Sequence, residues 1–272
     1  MKRLTLMALV LPAFALPLVA SPAVQQPRVV TDDEWCREQS RDGDRERHCE
    51  VREVTLPAPA VLEITDVGNG SIAVTGSARR DVRLRARVVA SAPTLDEARQ
   101  LARQVTIATD GGRVRDDGPR GDRQRSWWVA YRAEVPGRQD VELSTANGSI
   151  AIADVKSRIR ARTSNGSLRL TGPGGDVDVH TANGSMTIQL AGSTWDGAGL
   201  RARTSNGSLR IDIPEPYHAR LRAGSRNGSL SIGFPLTVQG RIRHDVDAVL
   251  GSGGPTLDVQ TANGSLRIER AR

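Results

Sequence analysis

Aromatic side chains are scarce in this sequence of 272 residues, at 3%. So few rings cannot fill a broad globular core, so the interior must be narrow and aliphatic. Cysteine occurs only twice, and the four histidines, His48, His180, His218 and His244, are scattered. That spacing offers no set of metal ligands and no catalytic dyad. Neither a Gly-Xaa-Ser-Xaa-Gly elbow, a phosphate-binding loop, a His-Glu-Xaa-Xaa-His helix nor a paired-cysteine motif occurs, so the sequence nominates no nucleophile, cofactor or metal. Beyond the first two dozen residues no apolar run reaches the roughly 20 residues needed to span a bilayer.

What is present in quantity is one phrase. Asn-Gly-Ser recurs with its asparagine at Asn69, Asn147, Asn165, Asn183, Asn206, Asn227 and Asn263. The central spacings are 18 residues, then 23, 21 and 36. A short fixed period indicates a stacked array of small units. Around each asparagine the apolar residues alternate. Six before stand Val141, Ile159, Val177, Leu200, Leu221 and Leu257, and four before stand Leu143, Ala161, Val179, Ala202, Ala223 and Val259. Two before come Thr145, Thr163, Thr181, Thr204, Ser225 and Thr261. After the turn, Ile150, Leu168, Met186, Leu209, Leu230 and Leu266 lead to Ile152, Leu170, Ile188, Ile211, Ile232 and Ile268. Period-two alternation puts one face of each strand inside and the other in water. Asn-Gly supplies the positive φ that a sharp bend requires.

Two all-β architectures satisfy this pattern: a repetitive β-solenoid in which Asn-Gly is a corner, or a meander or propeller in which it closes hairpins. The outward series five before each asparagine favours the solenoid. It reads Glu142, Arg160, Asp178, Arg201, so that successive copies would place opposite charges side by side, and it breaks at Arg222. The expected order is therefore that of the sequence, with one copy hidden in the degenerate stretch between Phe234 and Pro255, or a second capping region there.

Residues 1–23 have the layout of a secretory signal peptide: Met1-Lys2-Arg3, an apolar stretch interrupted by Pro12 and Pro17, and small residues at Ala20, Ser21 and Ala23. The mature chain is expected in the periplasm or outside the cell, without a transmembrane span. Residues 24–53 form a polar segment holding Cys36 and Cys49. In an oxidising compartment these two are expected to form a disulfide; a zinc site with His48 lacks a fourth ligand. Residues 54–272 form the strand-repeat domain. It includes one short helix opened by Thr94-Leu95-Asp96-Glu97, a capping box in which Glu97 reaches back, with Leu95, Ala98, Leu101, Ala102 and Val105 on one face. That helix is expected to cover an exposed end of the array. Residues 113–125 read as a charged loop.

The signal peptide, the lone helix, the charged loop, the strand Tyr131 to Pro136 and the phrase Val141 to Ile150 together resemble the bacterial adhesin-like family of β-strand-repeat proteins, a domain of unknown function of DUF4097 type. The likeness covers about residues 54–272. It implies a β-helix-like solenoid and supplies no catalytic residues.

Net charge is +7, two of it from Lys2 and Arg3. The remaining cations are nearly all arginine, spread among acids without interleaved aromatics, so nucleic acid is not expected as a partner. Outward positions Arg160, Arg162, Arg201 and Arg203, with Arg169, Arg210, Arg220 and Arg222, form an expected basic strip suited to carboxylate or phosphate. Trp127, Trp128 and Trp195 would flank the strip or cap the core. The functional expectation is a non-catalytic envelope or secreted module, adhesin-like or scaffolding, whose partner is an anionic envelope glycan or an envelope protein. The competing reading is a β-helix enzyme acting on acidic polysaccharide through Asp176, Asp178 and His180. The seven asparagines also match the glycosylation sequon, but a structural bend accounts for all of them at once.

Overall fold

The computed structural model describes residues 27–30, 34–37, 45–233 and 244–271; the expected leader lies outside them. In chain order the first elements are β1 (Arg28–Val30), α1 (Glu34–Arg37), β2 (Glu46–Pro57), β3 (Val61–Asn69), β4 (Ile72–Ser77) and β5 (Asp81–Ala92). Then come α2 (Leu95–Gln104), β6 (Thr106–Asp110), β7 (Arg113–Asp117) and β8 (Ser126–Pro136). The repeats supply β9 (Asp140–Asn147), β10 (Ile150–Ala153), β11 (Lys156–Asn165), β12 (Leu168–Thr171), β13 (Gly174–Asn183) and β14 (Met186–Gln189). They continue with β15 (Gly199–Asn206), β16 (Leu209–Ile213), β17 (Ala219–Asn227), β18 (Leu230–Ile232), β19 (Asp245–Leu250), β20 (Thr256–Asn263) and β21 (Leu266–Arg270). They form two sheets, of 11 and 10 strands.

Each repeat gives one strand to each sheet. β9, β11, β13 and β15 lie side by side in the 10-stranded sheet, and β10, β12, β14 and β16 in the 11-stranded sheet, all parallel. Ile150 pairs with Leu168 and Val141 with Ile159, so one 18-residue copy makes one full coil. Parallel pairing decides for the solenoid over the hairpin alternative. Almost every aliphatic column read from the sequence is buried between the sheets. Leu230 and Ile232 are only half-buried because β18 is the last strand of its sheet.

The corners differ from expectation in their cause. Among the described residues only Asp66 and Asp154 are non-glycine residues with positive φ, so none of the seven asparagines has it, and of the corner glycines only Gly207 and Gly264 do. What demands glycine is the next coil. A Cβ on Gly166 would stand 2.0 Å from the carbonyl oxygen of Gly148, and one on Gly184 would stand 2.0 Å from that of Gly166. Each corner glycine except Gly228, on the last coil, donates its N–H to the asparagine carbonyl of the neighbouring coil, as Gly148 does to Asn165 at 3.0 Å. The asparagine side chains form a continuous ladder: Asn147 donates to Asn69, Asn165 to Asn147, Asn183 to Asn165, Asn206 to Asn183, Asn263 to Asn206 and Asn227 to Asn263, at 2.9–3.0 Å. The inward hydroxyls make a second ladder. Thr145, Thr163, Thr181, Thr204, Thr261 and Ser225 each donate to a corner glycine carbonyl, so no buried hydroxyl in this column lacks a partner.

The stacking order departs from the order of the sequence. β20 lies between β15 and β17, and β21 between β16 and β18, so the C-terminal coil is inserted beneath the coil that precedes it in the chain. The 36-residue spacing therefore hides no further coil within the described residues. β19 instead pairs antiparallel with β17 and forms the edge of the 10-stranded sheet.

The opposite end is closed by residues 78–136. The first coil, β3–β4, carries a bulge between Ile64 and Val67, which is why its sequence is out of step. β5 pairs antiparallel with β8, and α2 leads from β5 to β6 in the other sheet, burying Ala98 and placing Leu101 and Ala102 in the main core while Leu95 stays 37% exposed. Thr94 accepts from the Glu97 N–H at 3.3 Å, but the Glu97 carboxylate pairs with Arg125 at 3.5 Å instead of turning back. The helix's last carbonyls are capped by Arg52, which donates to Ala102 (2.7 Å) and Val105. Residues 113–117, expected as loop, are strand β7, held by buried Val114 against Ile64.

Cys36 and Cys49 are joined, with Cα atoms 5.6 Å apart. The bridge ties α1 to β2, which runs on through residue 53 into the sheet. Trp35 is 5% exposed and packs with Val51 and Ala130 in a small second core. The Arg132 guanidinium lies 4.0 Å from its ring centroid and that of Arg87 4.8 Å.

Candidate binding surface

The outward face of the 10-stranded sheet carries the residues singled out by the sequence. Its main column runs Glu142, Arg160, Asp178, Arg201, Asp258, Arg222, Asp247 through successive paired strands. The inserted C-terminal coil thus supplies Asp258 between Arg201 and Arg222, and the break seen in sequence order disappears. At the other end Arg113 pairs with Glu63 at 2.6 Å. Arg160 pairs with Asp176 at 2.6 Å, Arg201 with Asp178 at 3.9 Å, and Arg220 with Asp247 at 2.8 Å. The hydrogen bond from Arg160 holds the Asp176 carboxyl below the usual carboxylate range, and that from Arg220 does the same for Asp247.

The parallel column, three before each asparagine, runs Ser144, Arg162, His180, Arg203, Gln260, Gly224. Arg203 reaches Asp258 at 3.4 Å. Among the described residues no carboxylate lies within ion-pair reach of Arg162, which is exposed. The four arginines expected to act together are therefore on one face, but only Arg162 keeps its charge unshared. Arg169 and Arg210 do not join them: they project from β12 and β16, on the other sheet, so the expected strip is split between two faces. Trp195 does not flank the strip either. It is buried in the insertion between β14 and β15 and donates to the Gly175 carbonyl at 3.0 Å.

Asp176, Asp178 and His180, the candidates for chemistry, sit on β13 with their carboxylates engaged by Arg160 and Arg201. Among the described residues no group of three or more His, Cys, Asp or Glu side chains could hold a metal ion. The same residues do include open grooves on this face. One of about 490 Å³ lies over the first bulge, bordered by Glu63, Asp66, Arg113, Glu142, Arg160 and Arg162. Another of about 490 Å³ lies near the far end, bordered by His180, Arg203, Gln260, His244 and Arg226. Asp258, Gln260, Gly224 and His244 were missed from the sequence because their place depends on coil order. Charge complementarity held the clue, since of the later copies only the last has an acid to set beside Arg201.

Among the described residues no helix is long and apolar enough to cross a membrane. A family model described as Toastrack DUF4097 matches residues 69–269. No curated protein matches the chain. Solved structures that resemble it include a protein provisionally described as a cell adhesion protein from Clostridium sporogenes, 10% identical, covering 83% of this chain and 100% of that one, with a TM-score of 0.45. A provisionally described adhesin from Bacteroides fragilis is 10% identical over 81% of this chain and 97% of its own, with a TM-score of 0.36. Another from Parabacteroides merdae is 8% identical over 81% and 95%, with a TM-score of 0.31.

Proposed function

The chain belongs to the Toastrack DUF4097 family, and from that membership we propose that it is a non-catalytic binding or scaffold module of the cell envelope, periplasmic or secreted. In this reading the outward face of the 10-stranded sheet holds an extended anionic envelope polymer, an acidic glycan, along the row Arg162, His180, Arg203. The observation that carries it is the unshared charge of Arg162 one coil from His180 and two from Arg203, on a face whose other charges are largely mutually paired. Strand spacing of about 4.8 Å places successive members of such a row at regular intervals along a polymer. Guanidinium groups match carboxylates with two parallel hydrogen bonds, and the pairing survives salt better than a diffuse field does.

The test is equilibrium binding of the purified chain to an acidic polysaccharide at physiological ionic strength, with a neutral polysaccharide as reference. Arg162→Ala combined with Arg203→Ala should weaken binding at least about tenfold, equivalent to 1.4 kcal/mol. Arg169→Ala with Arg267→Ala, on the opposite sheet, should leave it unchanged. Equal loss from both pairs would reduce the effect to net charge and remove the reading. Release of shortened chains from the polysaccharide would replace it with an enzyme.

A further inference from the structure

The row of outward positions that passes through Arg162, His180, Arg203 and Gln260 continues across Gly224, which has no side chain, to Asp245 on β19. A Cβ at Gly224 would lie 2.7 Å from Gln260 Oε1, 3.4 Å from the His244 carbonyl oxygen and 3.5 Å from the Asp245 Cβ, so glycine lets the Gln260 amide and the start of β19 close in over the backbone at this position. The φ of Gly224 is not in the left-handed region, so backbone conformation does not require glycine here. Gly224 lines the groove of about 490 Å³ that is bordered by His180, Arg203, Gln260, Arg226, His244 and Asp245. That volume suits a small ligand.

The groove's chemistry is uneven. Arg203 and Arg226 stand two coils apart across it, and among the described residues no carboxylate is within ion-pair reach of Arg226. His180 and His244 add ring nitrogens. Gln260 commits its Nε2 to Asp258 at 3.1 Å, which leaves Oε1, lying over Gly224, as an acceptor. Asp245 is the one carboxylate on the rim. Guanidinium donors on two sides with carbonyl and carboxylate acceptors between them complement a ligand that is itself an anion carrying hydroxyl groups. Inorganic phosphate would use the donors but is too compact to reach the Arg226 guanidinium, Gln260 and Asp245 together as a sugar ring with its carboxylate and several hydroxyls does.

We propose that the groove over Gly224 is a subsite for one uronic-acid unit of an acidic polysaccharide; the proposal rests on the reading of this face as a polymer-binding surface and names the sugar class it takes. The carboxylate of the unit engages Arg226, since Arg203 already shares its charge with Asp258, and its ring hydroxyls donate to Gln260 and Asp245. Glucose, D-glucuronate and inorganic phosphate, titrated separately against the full chain by NMR or calorimetry, test it. Glucuronate should bind at least about tenfold more tightly than either of the others. Gly224→Val, which displaces the Gln260 amide, and Arg226→Ala, which removes an exposed side chain, should each weaken glucuronate at least about tenfold. Arg226→Ala keeps the test decisive if the valine disturbs the sheet. Polymer binding without glucuronate preference, or glucuronate binding untouched by Arg226→Ala, overturns the subsite and leaves the surface reading standing. Glucuronate binding in a chain that ignores the polymer keeps the groove and overturns the extended-row reading.

Discussion

A single glycine shows how closely successive coils approach. The N–H of Gly166 serves the carbonyl of Asn183, and the space a side chain would occupy is filled by the Gly148 carbonyl oxygen, 2.0 Å from the ideal Cβ. Gly166→Ala must therefore push two coils apart along the whole corner, and should cost about 3–5 kcal/mol in urea denaturation. Asn165→Ala removes an exposed amide that donates to Asn147 and accepts from Asn183, and should cost only about 1–2 kcal/mol. Equal costs would mean that the ladder, and not the close approach, fixes the glycine. Tyr131 poses a different test. Its hydroxyl, buried between the sheets, donates to Asp116 at 2.7 Å, and burial pushes the Asp116 carboxyl above the usual carboxylate range despite that bond. A raised carboxyl pKa means that the ionised form is penalised: the stability linked to this group is fully present below its unfolded pKa and lost as pH rises through the folded one. Tyr131→Phe removes the donor that favours the ionised form. Its cost, about 1–3 kcal/mol at neutral pH, should shrink in acid, and a cost that grows in acid would reverse this account.

The order of the coils is decided at the level of whole strands, and this is where the sequence was only partly legible. The inward columns could be read directly, since period-two alternation leaves no choice of face, and the corner asparagines could be located to the residue. Their spatial order could not, because every coil presents nearly the same interior: Leu257 or Leu221 fits equally well above Leu200. What distinguishes the arrangements is on the outside. Sequence order would set Arg222 beside Arg201, whereas the observed insertion sets Asp258 between them. Asp258→Arg would line up three arginines and remove the partner of Arg203. It should destabilise the β20–β21 coil by about 1–3 kcal/mol, given the size of single cross-strand charge terms. Hydrogen exchange should then show residues 256–270 losing protection before residues 141–190 do. Uniform loss across both stretches would show that order is set elsewhere. The positive φ expected for Asn-Gly is found only at Gly207 and Gly264, whereas close approach between coils recurs at the corners, is a property of neighbours and leaves no trace in the local sequence.

At the scale of the molecule, two cores of unequal size share two strands, β2 and β8. β2 contributes Val54 to the main interior and Val51 to the small core under Trp35, so the N-terminal segment is attached to the outside of a sheet whose inside belongs to the solenoid. The pairing of Cys36 with Cys49 was legible because two cysteines admit one pairing, while the purpose of Trp35 was not, because its arginine partners lie on β5 and β8, 50 and more residues away. Coil arrays are stabilised by nearest neighbours, so loss of a peripheral piece should not propagate. Reduction of the disulfide removes a loop constraint worth about 3 kcal/mol in the chain-entropy account, more than the small core of Trp35, Val51 and Ala130 replaces easily. Reduced protein should therefore release α1 with Trp35 while β2 stays paired to β5 through its inner face. Tryptophan emission should shift to the red as Trp35 and Trp128 become wetted, and limited proteolysis should cut between residues 34 and 45. The urea midpoint followed by far-ultraviolet circular dichroism, which reports the coils, should hardly move. A midpoint that falls together with the emission change would mean that the segment is a structural end cap of the array, whose removal exposes the interior, and not a separate attachment to its outer wall.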